Sequence, residues 1–210
     1  VEGPGTQKYR IAAFVDTPTE SPVDPEVEQA TQATAQRLTE MGHEVRWIDV
    51  PAGQQETDDF LLYWSFTALI LEGLVAVSPN ARVGKLEPWT RALAAEARRN
   101  ILKIPAVIKR LRSYEAVYND LFADVDVLLC PTTAAPAPPI GVLTPGQAFL
   151  EKRSKLLQLL PFTPVQNVAG APAISVPVGK TASGLPIGVQ LAGPVGGEAR
   201  LLSLAFALEQ

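Results

Sequence analysis

Hydrolytic chemistry needs a nucleophile, a base to activate it and donors to hold developing charge, and this 210-residue chain offers few of these parts. His43 is the only imidazole. It lies between a helix-stopping glycine, Gly42, and a strand-like run, and no serine sits in a Gly-x-Ser-x-Gly context. His43 is therefore read as a solvated or hydrogen-bonded structural residue. Cys130 is the only cysteine, so no internal disulfide and no Cys/His metal set can form, and its place after Val127-Leu128-Leu129 marks it as a small core residue. The acidic pairs Asp58-Asp59 and Asp124-Asp126 are explained as a helix start and a helix-to-strand transition. Gly193-Pro194-Val195-Gly196-Gly197 leads from a strand into a helix but lacks any dinucleotide or P-loop signature, and a tight connection accounts for its glycines.

The elements that must position any site follow from periodicity. Tyr9 to Val15 reads as a strand, and Asp24 caps a helix with Pro25 at its first position and Val27, Ala30, Thr34, Leu38 and Met41 along one face. Glu44 to Val50 reads as a second strand. Tyr9 to Val50 is thus a strand-helix-strand unit with a right-handed crossover and a parallel strand pair. Phe60 to Val77, Pro88 to Asn100 and Pro105 to Ala123 read as helices, the first as a buried one, and together they form a helical segment at about 58–123. Asp126 to Cys130 is a short apolar strand, and Pro131 to Pro145 is too proline-rich for regular structure. Pro145, capped by Thr144, should open a helix running to Pro161. Ala173 to Val178 and Leu185 to Ala192 read as a hairpin, and Glu198 to Glu209 as a closing helix.

Composition sets the class. With 47% hydrophobic and 19% charged residues, a folded α/β core is expected rather than disorder. The formal net charge is -4 and the basic residues are scattered, which argues against nucleic acid as a partner. Phe60 to Val77 is interrupted by Glu72 and polar residues, so no membrane partner is expected. Val1 to Gly5 reads as a linker rather than a signal peptide, and cytoplasmic residence is the expectation.

Several stretches in order resemble the C-terminal half of the amidase-signature family: Tyr9-Arg10-Ile11-Ala12, Val23 to Val27, Met41 to Val45, Asp126 to Thr132 with Ala135-Pro136 and Ile140-Gly141, and above all Asn167 to Gly179 followed by Gly184 to Gln190. The resemblance spans nearly the whole chain. It implies an α/β fold with a mixed central sheet flanked by helices. It also implies hydrolysis of carboxamides to carboxylate plus ammonia or amine through two serines and a lysine, with no metal or organic cofactor. The family's glycine-serine-rich stretch and upstream lysine have no match here. Lys8, Lys85 and Lys180 lie in ordinary surface contexts, and Ser175 lies in an apolar strand phrase, so no catalytic residue is carried over.

What the resemblance leaves to this chain is sheet strands and a pocket wall, with the N-terminal catalytic half of the same enzyme and a small amide substrate as partners, and homo-oligomerisation as a further expectation. The substrate-binding candidates are Thr132 and Thr133 in the proline-rich loop, the segment Phe162, Thr163, Gln166 and Asn167, and Gln190. Each has a bland counterpart. Asn167 equally suits a turn that satisfies backbone groups, Gln190 could tie two backbones together, and Phe162 could be plain core. Tyr63, Trp64 and Phe66 are read as packing. Two other functions fit the same residues: an amidotransferase component of the same family that uses transferred ammonia, or a non-catalytic α/β binding module.

Overall fold

Alternation along the first strand sets up the architecture, because Ile11 and Ala13 point to one side and Ala12 and Phe14 to the other, and all four are buried. A strand apolar on both faces must lie inside a three-layer structure. The computed structural model, which describes Gly3 and residues 5–209, shows that arrangement. Strands β1 (Arg10–Ala13), β2 (Glu44–Trp47), β3 (Val127–Pro131), β4 (Ala173–Lys180) and β5 (Pro186–Ala192) form one sheet in the order β2-β1-β3-β5-β4. β1 pairs in parallel with β2 and β3, whereas β5 runs antiparallel to both β3 and β4, so the sheet is mixed. The linker expected over Val1 to Gly5 lies largely outside the described residues.

On one face, helices α1 (Pro25–Glu40) and α7 (Glu198–Leu208) enclose Ile11, Ala13, Leu38, Val127, Leu129, Val176, Val189, Leu191, Leu201 and Leu204. On the other, α4 (Ile104–Asp120) and the short α6 (Pro164–Ala169) enclose Ala12, Phe14, Tyr114, Tyr118, Leu128, Cys130, Phe162 and Ala169. α1 begins as expected: the Asp24 carboxylate accepts from the Glu26 N–H at 2.9 Å, and Pro25 supplies the first turn. Gly42, at φ 88°, reverses the chain into β2. Thr31 and Thr34 stay on the buried face because each hydroxyl donates to the carbonyl four residues earlier.

The helical segment comprises α2 (Gln54–Val77), α3 (Pro88–Arg99) and α4, followed by a 3-10 turn over Leu121–Ala123. Three expectations are corrected. α2 starts six residues earlier than its apolar run, because Gly53 and Glu56 close a capping turn in which the Glu56 carboxylate accepts from the Gly53 N–H at 2.9 Å. Nor is α2 buried. Its most apolar 18-residue window, with mean hydropathy 1.9, is only 17% buried, and Tyr63, expected to pack, is 41% exposed. By length and composition alone, α2 is the one helix among the described residues that could cross a bilayer. Finally, α5 (Phe149–Leu159) does not start at Pro145. Thr144 to Gly146 form a turn, and the Gln147 amide donates to the Val142 carbonyl at 2.6 Å, drawing those residues into the loop.

His43 ties β1 to β2. Its Nδ1 accepts from the Tyr9 N–H at 3.1 Å and its ring stacks on Tyr9, with centroids 5.7 Å apart. That bond requires an unprotonated Nδ1. Burial, reinforced by Lys8, holds the imidazole pKa below its ordinary value of 6.5. A depressed histidine pKa means that the unfolded chain binds the proton first, so His43 contributes stability that is complete above pH 6.5 and is lost as pH falls through the lower folded value. Urea titrations at stepped pH should show stability declining below about pH 6.5, with His43→Gln removing that part of the slope while leaving any carboxylate-linked loss at lower pH.

Candidate functional site

The α4/α6 face of the sheet is not covered to its edge. β4 is the outer strand, and on this face it presents Ala173, Ser175 and Pro177, all exposed. Cross-strand register aligns Ser175 with Gln190, and Gln190 with Cys130, so three neighbouring strands put these side chains in one row. One step further along, the Thr132 N–H donates to the Gly188 carbonyl at 3.1 Å, and the hydroxyls of Thr132 and Ser175 bond to each other at 2.7 Å. Gly188 makes that contact possible. A β-carbon there would lie 2.9 Å from Ser175 Oγ and 3.4 Å from Thr132 Oγ1.

At the covered end of the row, the side-chain amide of Gln190, 5% exposed, lies 3.4 Å from both the Phe162 carbonyl and Cys130 Sγ. Gln190 thereby holds the start of the Phe162–Asn167 segment against the sheet. The Cys130 thiol is fully enclosed, and burial pushes its pKa up to about 12, so it behaves as a packing group rather than a thiolate nucleophile. Phe162 is 2% exposed and its ring lies 6.2 Å from that of Phe14. Here the position is core, though its carbonyl is the group that Gln190 binds.

The segment after Phe162 is helical, an element that the spacing of apolar residues does not announce. Pro164 at its first turn and Gly170 at φ 63° after its end are the local signals for it. Within α6, Asn167 is exposed and its amide donates to the Thr163 carbonyl at 2.8 Å, which leaves its own carbonyl oxygen free of protein bonds among the described residues. Thr163 is half-buried. Gln166 is 5% exposed and its Oε1 has no partner among the described residues. Thr133 turns away, its hydroxyl donating to the Ala135 carbonyl at 2.8 Å. The structure therefore brings Thr132, Phe162 and Gln190 to one sheet end, places Thr163, Gln166 and Asn167 on the helix docked there, and engages Thr133 locally. Ser175 and Gly188 belong to the same surface. The alternation of Ile174, Ser175 and Val176 was the sequence signal for Ser175, but nothing local foretold its bond to Thr132.

No charged group among the described residues donates to or accepts from the Thr132–Ser175 pair. Among the described residues no cluster of three or more His, Cys, Asp or Glu gathers to hold a metal ion. A separate groove of about 680 Å³ lies within the helical segment and meets α5, lined by Gln55, Asp59, Ser65, Glu96, Arg110 and Arg153 among others, and includes none of the seven candidates. A charge pair is part of its lining: Arg110 donates to both oxygens of the Asp59 carboxylate at 2.5 and 2.6 Å.

A family model described as Amidase matches residues 4–202. The chain belongs to the amidase family. AmiC of Mycobacterium leprae (strain TN), a protein named as an amidase, is 39% identical over 213 residues, covering 100% of this chain and 45% of that protein. Among solved structures, 6-aminohexanoate cyclic dimer hydrolase in complex with substrate superposes with a TM-score of 0.81 at 26% identity, covering 99% of this chain and 46% of the other. A bacterial aryl acylamidase of the amidase-signature enzymes gives 0.76 at 20% identity over 98% of this chain and 44% of the other, a likeness of fold. The chain thus spans less than half the length of the amidase-family relatives it matches.

The anchoring geometry carries its own test. Gln190→Ala leaves the buried Phe162 carbonyl without its partner and should cost about 1–3 kcal/mol in chemical denaturation. The hydroxyl pair is half-exposed and weaker: Ser175→Ala and Thr132→Val should each cost about 0.5–1.5 kcal/mol, and the double variant should fall short of the sum.

Proposed function

We propose that this chain forms the pocket-wall portion of an amidase that hydrolyses carboxamide bonds to carboxylate plus ammonia or amine, supplying sheet strands and substrate-positioning groups but not the nucleophile. The observation that carries this reading is the half-covered sheet end, where a polar row of Ser175, Thr132 and Gln190 runs from an open edge strand to the anchored Phe162–Asn167 segment. Ligand sites in α/β folds gather at such strand ends. Membership of the amidase family and coverage of under half of its relatives support a division of labour, in which the activated nucleophile and the oxyanion donors come from residues beyond these. What this surface then contributes is proximity and orientation. The open side of β4 is the natural seat for the rest of the sheet, because its outer backbone groups have no strand partner among the described residues.

Within that reading, Asn167 is the residue best disposed to meet an amide. Its N–H is spent on Thr163, which orients the free carbonyl oxygen to accept a substrate N–H. In the complete enzyme, Asn167→Ala should lower kcat/KM roughly tenfold to a hundredfold with little change in Tm. Unchanged kcat/KM across several amides would remove Asn167 from the pocket. The 210-residue chain itself should neither hydrolyse amides nor be labelled by a fluorophosphonate, and stoichiometric labelling of any of its serines would overturn the assignment of the nucleophile elsewhere.

A further inference from the structure

Two tyrosines four residues apart on α4, Tyr114 and Tyr118, are buried at 8% and 0% exposure, and their hydroxyls fare differently. Tyr118 donates to the Gly193 carbonyl at 3.2 Å. The Tyr114 hydroxyl is fully enclosed and meets no partner among the described residues. A buried phenol in that position loses its hydration and regains nothing, which is why native structures supply a partner from protein or from ordered water. Burial, and after it the charge of Glu56, push this phenol up to about 12, so at neutral pH it is protonated and able to donate.

The space beside Tyr114 identifies the partner. With Glu56 and Thr57 of α2, Leu111 of α4, and Val165 and Val168 of α6, it lines a crevice of about 10 Å³ where the three helices meet. That is room for the centre of one water and nothing larger. Neither a substrate group nor a side chain from residues beyond this chain can enter it. A buried water also needs at least two polar partners, and two more are at hand. Glu56 spends Oε2 on the Gly53 N–H at 2.9 Å, but its Oε1 has no donor among the described residues. The Thr57 hydroxyl donates to the Gly53 carbonyl at 3.2 Å and keeps its lone pairs. We propose that this crevice is a structural water site, in which one water accepts from the Tyr114 hydroxyl and donates to the Glu56 carboxylate, with the Thr57 hydroxyl as a second acceptor. The water joins α4 to the first turn of α2. Val165 and Val168 close the crevice, so it also fills the space beneath the helix that carries Asn167. None of this depends on where the nucleophile resides.

A high-resolution crystal structure of the protein should place one water within hydrogen-bond distance of both Tyr114 Oη and the Glu56 carboxylate. A dry crevice, or a phenol bonded directly to Glu56, overturns the proposal. Tyr114→Phe supplies an independent reading, because it removes the hydroxyl and keeps the ring. With a bound water it should lower the Tm by about 2–4 °C, as loss of one satisfied hydrogen bond does in a protein of this size. Tyr118→Phe, which removes a direct bond to Gly193, sets the scale for that loss. The structure of the Tyr114→Phe variant should lack the water. An unchanged or raised Tm for Tyr114→Phe is the result that deleting an orphaned hydroxyl gives, and it sinks the assignment. So does a water that stays in place when the hydroxyl is gone.

Discussion

Burial of β3 between two helical layers is the interaction on which the other elements depend, because Val127 to Pro131 are shielded on both faces and bonded on both edges. Removing a side chain such as Leu129 from water contributes about 1.5–3 kcal/mol, so a few such residues rival the whole of the roughly 5–15 kcal/mol by which a domain of this kind stays folded. β3 also joins two sheet halves of opposite sense. On its β1 side the pairing is parallel, and the chain reaches β3 only after β2 and the helical segment; on its β5 side it is antiparallel, and the chain passes through α5, α6 and β4 before β5 returns beside it. Asp126, one residue before β3, pins that junction: its carboxylate accepts from the Arg10 backbone N–H at 2.8 Å and from the Arg10 guanidinium, while Arg200 of α7 donates to its backbone carbonyl. The hydrogen bonds from Arg10 hold the Asp126 carboxyl below its ordinary pKa.

The polar row at the sheet end is a consequence of the same strand. β3 ends at Pro131, where the backbone leaves the sheet, and the next residue, Thr132, keeps its register through one bond to Gly188. Substitutions that loosen β3 would therefore disturb the row even though they touch none of its side chains. Gln190 converts this register into the position of α6, by lying close enough to bridge a strand and the Phe162 carbonyl. Its amide is buried, so its partners are costly to lose and the segment has one favoured seat.

The helical segment is tied together, and to α5, by aromatic and charged contacts. Phe60, Trp64, Trp89 and Phe149 form a chain of ring contacts with centroids 6.2, 5.9 and 5.0 Å apart, and Lys152 sits 5.2 Å over the Trp89 ring. Asp59 and Arg110 clamp α2 to α4. These contacts fix the first half of α2, while in its second half the Glu72–Arg98 pair ties it to α3. An apolar helix secured at one end and solvated at the other is positioned to meet another surface.

How much of this was legible in the residues differs from element to element. Asp24-Pro25 and Gly42 bracketed α1 correctly because a cap, a ring and a positive φ are local requirements, and the apolar phrase around Leu128 announced β3 because burial on both faces leaves no polar alternation. Family resemblance in the Asn167 to Gln190 region named the right fold for the same reason: turn and strand chemistry is written in neighbouring positions. Side-chain partners far apart in the chain were another matter. That Ser175 bonds Thr132, that Gln190 reaches Phe162, and that Asp59 belongs to Arg110 rather than to a helix start depend on register and docking between segments 28 to 51 positions apart. The exposure of α2 was hidden for the complementary reason. Composition reports how apolar a helix is, but only the placement of its neighbours decides which of its faces they cover, and here α3 and α4 cover one side of a helix that is apolar on two.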